Sequence, residues 1–148
     1  AVIAARELIE PLIEQRFQRI VVEVPDALPV IRGDQQRITQ VLVNLLANAN
    51  KFGPPGTEIR LGARASSSGG LVFWVEDEGA GPEQADAAAL FERFRRTGGG
   101  KEREEGGLGL GLYIVRSIVE RHGGTVRLLR TEEGRTRAEV RLSYEAPP

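Results

Sequence analysis

The sequence predicts a two-layer α/β sandwich, in which a mixed, largely antiparallel sheet of about five strands packs on about three helices. Residues 35–52 and 109–121 carry apolar residues at helical spacing, which predicts two long helices. Segments of alternating apolar and polar residues occur in pairs joined by short glycine-containing loops, which predicts antiparallel hairpins. The 148 residues, of which 41% are hydrophobic, suffice for one domain with one core.

Each predicted element has its own boundary signals. Asp34 is a suitable N-cap for the helix over 35–52, and the Gly-Pro-Pro-Gly run at 53–56 ends it. Gly123 and Gly124 end the last predicted helix in the same way. The predicted helices cover residues 2–15, 35–52 and 109–121, with a short helical patch near 87–94. The predicted strands cover residues 19–24, 30–32, 58–65, 71–77, 126–130 and 137–143.

The composition excludes several classes of function. A formal net charge of −1 gives no indication of nucleic acid as a partner. The lack of cysteine excludes disulfides and thiolate metal sites, and a single histidine, His122, excludes a multi-histidine metal centre. His122 is better explained as a polar residue at a helix end, where the helix dipole favours it. No apolar run reaches the roughly 20 residues that span a bilayer, so we expect no membrane contact by these residues.

The helix over 35–52 has an apolar and a polar face. The apolar face comprises Ile38, Val41, Leu42, Leu45 and Ala49, and the polar face comprises Gln40, Asn44, Asn48 and Lys51. Asparagine is a poor helix former, so two asparagines one turn apart in mid-helix need an explanation. One explanation is a solvated polar face. The other is a site whose amide oxygens and ammonium group face Mg²⁺ and phosphate, since Mg²⁺ prefers hard oxygen ligands and shares them with phosphates and water.

Asp77 ends the predicted strand over 71–77 and is followed by Gly79 and Gly81. An aspartate in this setting is typical of a turn closed by a side-chain hydrogen bond. It is equally suited to accepting a hydrogen bond from the exocyclic amine of adenine, with the glycines letting the base approach the backbone. Because a carboxylate only accepts hydrogen bonds, it would disfavour the carbonyl that guanine carries at that position.

A glycine-rich run at residues 106–111, Gly-Gly-Leu-Gly-Leu-Gly, enters the last predicted helix. Free backbone N–H groups and the positive end of the helix dipole make such an entry a suitable phosphate site. No Gly-Lys-Ser/Thr follows, which excludes a Walker loop. The preceding segment is polar and not a strand, which excludes a dinucleotide-binding fold. A flexible loop is the alternative, and a mobile lid would combine both roles.

Four segments in this order resemble the N, G1, F and G2 boxes of histidine kinase catalytic domains, within the wider superfamily of gyrase, Hsp90, histidine kinases and MutL. The segments are residues 44–52, 77–81, 90–95 and 107–115. The resemblance covers nearly the whole chain, and four boxes in order are far more specific than any one of them. It implies the Bergerat α/β sandwich with a flexible ATP lid, and it implies ATP and Mg²⁺ as cofactors.

The resemblance implies a role for each matching residue on the base side of the nucleotide. Asp77 would bind the adenine amino group. Gly79 and Gly81 would frame the base, and Phe52 would lie against the adenine region.

On the phosphate side, the resemblance implies that Asn48 supplies the carbonyl oxygen that binds Mg²⁺. Asn44 and Lys51 would contact the phosphates and act in catalysis. Two arginines near the start of the ATP lid, Arg93 and Arg96, would reach the phosphates. The loop that wraps the triphosphate would comprise Gly107, Leu108, Gly109, Leu110 and Gly111.

The resemblance also implies a function, the transfer of the γ-phosphoryl group of Mg²⁺-ATP to a histidine on a dimerisation domain, for onward transfer to a response regulator. Hydrolytic members and serine kinases of the superfamily carry a glutamate four residues before the Mg²⁺-binding asparagine. Asn44 stands at that place, and an amide is not a general base. A serine kinase or ATPase is therefore disfavoured, and a non-catalytic ATP-binding module is the other alternative.

The acceptor histidine of such a kinase is missing, because His122 is the sole histidine and lies in the wrong place. The chain begins at Ala1 without a methionine, so we expect a fragment, with one ATP-binding catalytic domain over residues 1–148. We expect this domain to be monomeric and cytoplasmic, whether or not its parent is a membrane-bound sensor. We also expect it to bind Mg²⁺-ATP without phosphorylating itself.

Overall fold

The computed structural model describes residues 1–25, 35–67, 69–79 and 108–142, without the side chains of residues 108–110. The helices are α1 (Val2–Gln15), α2 (Gln35–Phe52) and α3 (Leu108–Arg121). The strands are β1 (Arg19–Glu23), β2 (Glu58–Ala65), β3 (Leu71–Asp77), β4 (Thr125–Arg130) and β5 (Thr136–Leu142). Each of these eight elements was predicted from the sequence to within one residue at either end. The strand expected at 30–32 and the helical patch near 87–94 lie outside the described residues.

The five strands form one sheet in the order β1-β2-β3-β5-β4. β1 pairs with β2 in parallel, and the other three pairs are antiparallel. The predicted mixed, largely antiparallel sheet is thus confirmed. β3 is the central strand, and its last residue, Asp77, lies opposite Thr136 at the start of β5. The end of β3 therefore lies between two neighbouring strands.

The three helices pack on one face of the sheet, and α2 lies between α1 and α3. The apolar face predicted for α2 is confirmed, with Ile38 only partly buried and Leu46 an additional core residue. Burying each such aliphatic side chain contributes about 1.5–3 kcal/mol. The buried residues of α2 are Val41, Leu42, Leu45, Leu46, Ala49 and Asn50. The fold thus turns the stripe of Asn44, Asn48 and Lys51 away from the deepest part of the core.

The other face of the sheet carries Trp74 and a set of ion pairs. A β-carbon at Gly62 would approach the Trp74 ring to 2.4 Å, so glycine lets the indole lie flat on β2. The Arg137 guanidinium lies 4.6 Å from the centre of that ring and binds the buried carboxylate of Glu76. Arg127 binds Glu139, which is also buried, at 3.0 Å. Both buried carboxylates on this face are therefore paired with arginine.

The helices α1 and α3 end in the same backbone motif, in which a residue with positive φ follows the helix, but the residue at that position differs. At the end of α3, Gly123 has φ 73° and the Gly124 N–H donates to the Val119 carbonyl at 2.9 Å. At the end of α1, Phe17 takes the place of the glycine with φ 56°, and its side chain is 83% exposed. A bulky residue in this left-handed conformation is strained.

None of the helices in the described ranges is long and apolar enough to cross a membrane.

Replacing Phe17 with glycine is expected to raise the free energy of unfolding by about 0.5–1 kcal/mol, because glycine adopts a positive φ without a strained β-carbon. Urea unfolding followed by circular dichroism measures the change. Phe17→Ala is the matched control, since it removes the exposed ring and keeps the β-carbon. A Phe17→Gly protein no more stable than Phe17→Ala would contradict this account of the strain.

Candidate functional site

The polar stripe of α2 is partly buried. Asn44, Asn48 and Lys51 lie one helical turn apart on one side of the helix, and each is only partly accessible to solvent. These three residues are therefore half-buried, which makes the stripe more enclosed than a fully solvated polar face. The Lys51 ammonium group makes no hydrogen bond or ion pair with any residue in the described ranges. The stripe thus presents polar groups to a space that other described side chains do not fill.

Asn48 holds the least satisfied polar atom of the stripe. Its Oδ1 atom is enclosed and accepts no hydrogen bond within the part of the chain that the structure describes. An enclosed acceptor without a donor costs about 1–3 kcal/mol. An amide oxygen is a hard ligand of the kind that Mg²⁺ takes from proteins. Because no group of three or more Asp, Glu, His or Cys converges among the described residues, Asn48 suits a Mg²⁺ ion held mainly by phosphate and water.

Asn44 connects the stripe to the start of α3. Its Nδ2 atom donates to the Gly111 carbonyl at 3.4 Å. Leu108 begins α3, so residues 108–111 form its first turn. Their backbone N–H groups are the ones that a helix leaves unpaired, as an anion site requires. A β-carbon at Gly111 would meet nothing described within 4 Å, so the first turn of α3 borders open space on that side.

Asp77 is 6% exposed at the end of β3, and one of its two carboxylate oxygens is already used. The Gly79 N–H donates to Oδ1 at 2.7 Å. Burial raises the pKa of Asp77 to about 6, against the opposing effect of the Gly79 hydrogen bond and of the positive charges of Arg130 and Arg135. No described residue donates to Oδ2. Asp77 therefore closes a turn with Oδ1 and keeps Oδ2 as a free acceptor.

Gly79 and Gly53 let the end of α2 approach the end of β3. A β-carbon at Gly79 would lie 2.5 Å from the Phe52 carbonyl oxygen. One at Gly53 would lie 2.7 Å from the Ala49 carbonyl oxygen and 3.2 Å from the Asp77 β-carbon. The sequence interpretation assigned Gly79 to make room for a base. The structure shows a different requirement, because this glycine accommodates the last turn of α2.

Phe52 and Thr136 both lie beside Gly79, in the turn that follows Asp77. Phe52 is the last residue of α2, and its side chain is 52% exposed although it is apolar. The Thr136 hydroxyl donates to the Gly79 carbonyl at 3.0 Å and holds the turn after β3. Asn44, Asn48, Lys51 and Phe52 on α2 thus lie at the same end of the domain as Asp77 and Gly79.

Some of the predicted site residues are outside the described part of the chain. These are Gly81, Arg93, Arg96 and Gly107, and of Leu108, Gly109 and Leu110 only the backbone is described. Sequence reasoning missed Thr136, because only the pairing of β5 with β3 brings it opposite Asp77. It also missed Gln18 and Asn50, two buried amides behind the last turn of α2. Their burial depends on contacts between distant segments, which local patterns do not show.

Comparison with known proteins gives one family. Residues 33–146 match the model of the histidine kinase-, DNA gyrase B-, and HSP90-like ATPases. The probable sensor histidine kinase TcrY of Mycobacterium tuberculosis is 38% identical over 125 residues, which cover 83% of this chain and 26% of the relative. The sensor histidine kinase WalK of Bacillus subtilis is 36% identical over 104 residues, covering 70% and 17%. The chain thus spans about a quarter of the length of these relatives or less.

Solved structures agree on the fold. The catalytic domain of histidine kinase ThkA superposes with a TM-score of 0.81 at 22% identity, over 97% of this chain and 90% of that one. Full-length ShkA in complex with AMPPNP superposes with a TM-score of 0.80 at 29% identity, over 97% of this chain and 29% of that one.

The raised pKa of Asp77 is expected to make the ligand-free protein lose stability as pH rises through about 6. The folded state binds the Asp77 proton more tightly than the unfolded state does, so the stabilisation is complete below the ordinary pKa of about 4 and is lost above 6. Between about pH 5 and pH 7, wild type should lose about 1 kcal/mol relative to Asp77→Asn, which does not titrate.

Urea unfolding of both proteins across this pH range, without nucleotide, measures the difference. Other titrating groups are common to both proteins and cancel. A difference in unfolding free energy that stays constant with pH would rule out the raised pKa.

Proposed function

Because this chain belongs to the family of histidine kinase-, DNA gyrase B-, and HSP90-like ATPases, we propose that it binds Mg²⁺-ATP and donates the γ-phosphoryl group to a histidine on a separate dimerisation domain. A response regulator would then receive the phosphoryl group. The observation that carries the proposal is Asn48 Oδ1, which is enclosed and has no partner among the described residues, on the helix whose end packs against Asp77. Asn48 Oδ1 can bind a cation, and the Asp77 carboxylate can accept a hydrogen bond. Mg²⁺-ATP supplies both a cation and a hydrogen-bond donor.

Adenine recognition is proposed for Asp77. Its Oδ1 is held by Gly79, so Oδ2 has a fixed direction and accepts the hydrogen bond of the exocyclic amine. Guanine would place a carbonyl oxygen there, and two acceptors repel each other. The half-exposed ring of Phe52 beside this turn offers a flat apolar surface to the base. A site built on a hydrogen bond rejects ligands that lack its partner more strongly than an apolar pocket does.

Phosphate binding is proposed for the α2 stripe and the first turn of α3. Lys51 supplies a positive charge that no described carboxylate neutralises. The N–H groups of Gly109 and Gly111 and the helix dipole add further positive potential. Asn48 would hold Mg²⁺, which supplies charge neutralisation at the phosphates when bound. Arg93 and Arg96 remain predicted lid residues for the same phosphates.

Transfer to histidine, in preference to hydrolysis, follows from Asn44. Its Nδ2 is bound to Gly111, and an amide takes no proton from water at ordinary pH. A neutral imidazole needs no such base, because its attacking ring nitrogen carries no proton, and the ring's one N–H proton stays on the other nitrogen during the attack. That nitrogen forms a bond to the γ-phosphorus as the bond to the bridging oxygen breaks, and ADP leaves. The domain then acts by positioning and charge stabilisation.

Asp77→Asn and Asn48→Ala are expected to separate base recognition from Mg²⁺ binding. Asp77→Asn keeps an acceptor for Gly79 but turns an amino group towards the base, so ATP affinity should fall about tenfold or more and the preference for ATP over GTP should fall with it. Asn48→Ala should keep the preference and lose most of the Mg²⁺ dependence. Calorimetric titrations of ATP and GTP, with and without Mg²⁺, measure both properties.

Each of these two variants is the control for the other. The site assignment fails if neither variant changes binding, or if both variants lose the two properties to the same extent.

The isolated chain is expected to form no phosphohistidine from labelled ATP, because His122 lies at the end of α3 with Nδ1 2.8 Å from the Ile118 carbonyl, far along the helix from the first turn. Label should appear on a separately purified dimerisation domain of a related sensor kinase that carries an acceptor histidine. The same domain with that histidine replaced by alanine is the control. Label on the chain itself, on an added serine protein, or mainly in free phosphate would count against the proposal.

A further inference from the structure

The C-terminal end of α2 is closed by side chains from another part of the chain. α2 ends at Phe52, directly before the Gly-Pro-Pro-Gly run, as the sequence predicts. Gly53 has no positive φ, so it does not form a left-handed glycine cap. Instead Arg16 and Gln18, between α1 and β1, reach the terminal carbonyls of α2. The Arg16 guanidinium donates to the Gly53 carbonyl at 2.9 Å. These contacts bridge more than 30 residues of sequence and satisfy groups that a helix end leaves unpaired.

Gln18 makes the largest share of these contacts. It is 7% exposed, and its Nε2 atom lies 3.0 Å from the Gly53 carbonyl oxygen, 3.1 Å from that of Asn50 and 3.2 Å from that of Pro54. Its Oε1 atom accepts a hydrogen bond from Asn50 Nδ2 at 2.7 Å. Asn50 Nδ2 also donates to the Leu12 carbonyl at 3.1 Å. The two buried amides thus tie α1, α2 and the residues after α2 together.

This pair of amides lies directly behind the candidate site. A β-carbon at Gly53 would be 3.4 Å from Gln18 Nε2 and 3.2 Å from the Asp77 β-carbon. Gln18 and Asp77 therefore both lie close to the position that a side chain of Gly53 would occupy. Lys51 and Phe52 immediately precede Gly53, so the position of Gly53 also fixes the positions of these two residues.

We infer that Gln18 is a positioning residue for the nucleotide site. Gln18 holds the last turn of α2 against the end of β3. In that position, Lys51 and Phe52 face the same ligand as Asp77. This inference rests on the proposed function, since it concerns the geometry of the proposed ATP site. Gln18 itself touches no ligand, because its amide is fully used by backbone carbonyls and Asn50.

The test separates positioning from stability with three variants. Gln18→Met removes the hydrogen bonds and keeps the length of the side chain. The double variant Gln18→Met/Asn50→Leu replaces both amides by apolar groups, which removes the cost of an unpaired buried amide. Val140→Ala is the control, since Val140 is fully buried on β5 and its neighbours Phe73 and Val126 lie well along the sheet from Asp77.

For each protein, the affinity for Mg²⁺-ATP is measured by calorimetry where circular dichroism shows it fully folded, and stability is measured by urea unfolding. Gln18→Met should bind Mg²⁺-ATP about tenfold more weakly, because even a small misplacement of binding groups commonly lowers affinity by that much. The double variant should recover stability towards wild type and keep the weakened affinity. Val140→Ala should lose stability and bind within about twofold of wild type. Wild-type affinity in Gln18→Met, or recovery of both properties in the double variant, would overturn the inference.

Amide hydrogen exchange in the ligand-free protein tests the inference independently of ATP. Exchange at the Gly53 and Gly79 N–H groups, which bind Ala49 and Asp77, should become faster in the double variant and stay unchanged in Val140→Ala. A wild type that binds no Mg²⁺-ATP would refute the proposed function alone. Unchanged exchange at both glycines would refute the role of Gln18.

Discussion

The arrangement of the site depends on one backbone contact, between the last turn of α2 and the end of β3. Gly53 and Gly79 carry no β-carbon. One at Gly79 would collide with the Phe52 carbonyl of α2, and one at Gly53 would crowd the Asp77 β-carbon at 3.2 Å. Helix and strand therefore meet without side chains between them. This contact sets Phe52 beside Asp77, and the helical repeat then places Asn48 and Asn44 one and two turns away. The groups proposed to bind the base and the phosphates are thus spaced by α2 itself.

The buried carboxylate of the candidate site differs from those on the other face of the sheet, because no arginine in the described residues binds it. Glu76 and Asp77 are neighbours on β3 and are equally buried. Glu76 is bound by Arg137, whereas burial raises the pKa of Asp77 to about 6 and no described residue donates to its Oδ2. Asn48 Oδ1 is likewise enclosed and has no donor among the described residues. Such groups destabilise the ligand-free protein, and a ligand that satisfies them recovers that free energy as affinity.

The sequence predicts the bounds of the helices and strands well, but it predicts the contacts between these elements poorly. Helical spacing on α2 and alternation on β4 and β5 are local patterns, so the bounds of these elements follow from them. The motifs around Asn48 and Asp77 are also local and give the site its residues. The placement of β5 between β3 and β4 depends on pairing across the sheet. The Gln18–Asn50 pair depends on a contact between segments 32 residues apart. The Gly-Pro sequence after α2 predicts where the helix ends, but not which distant side chains bind its last carbonyls.

Asn44 shows how the same helix limits the chemistry of the domain. Its position one turn before Asn48 is where a carboxylate would face the γ-phosphate of the proposed ligand. The amide there donates to the Gly111 carbonyl and joins α2 to α3. We propose that it helps to shape the phosphate site and takes no part in proton transfer. Without a base on this stripe, the nucleophile must be reactive by itself. A separate domain with an acceptor imidazole meets that requirement. This chain corresponds to about a quarter of the length of the relatives or less, so those proteins are long enough to contain such a domain.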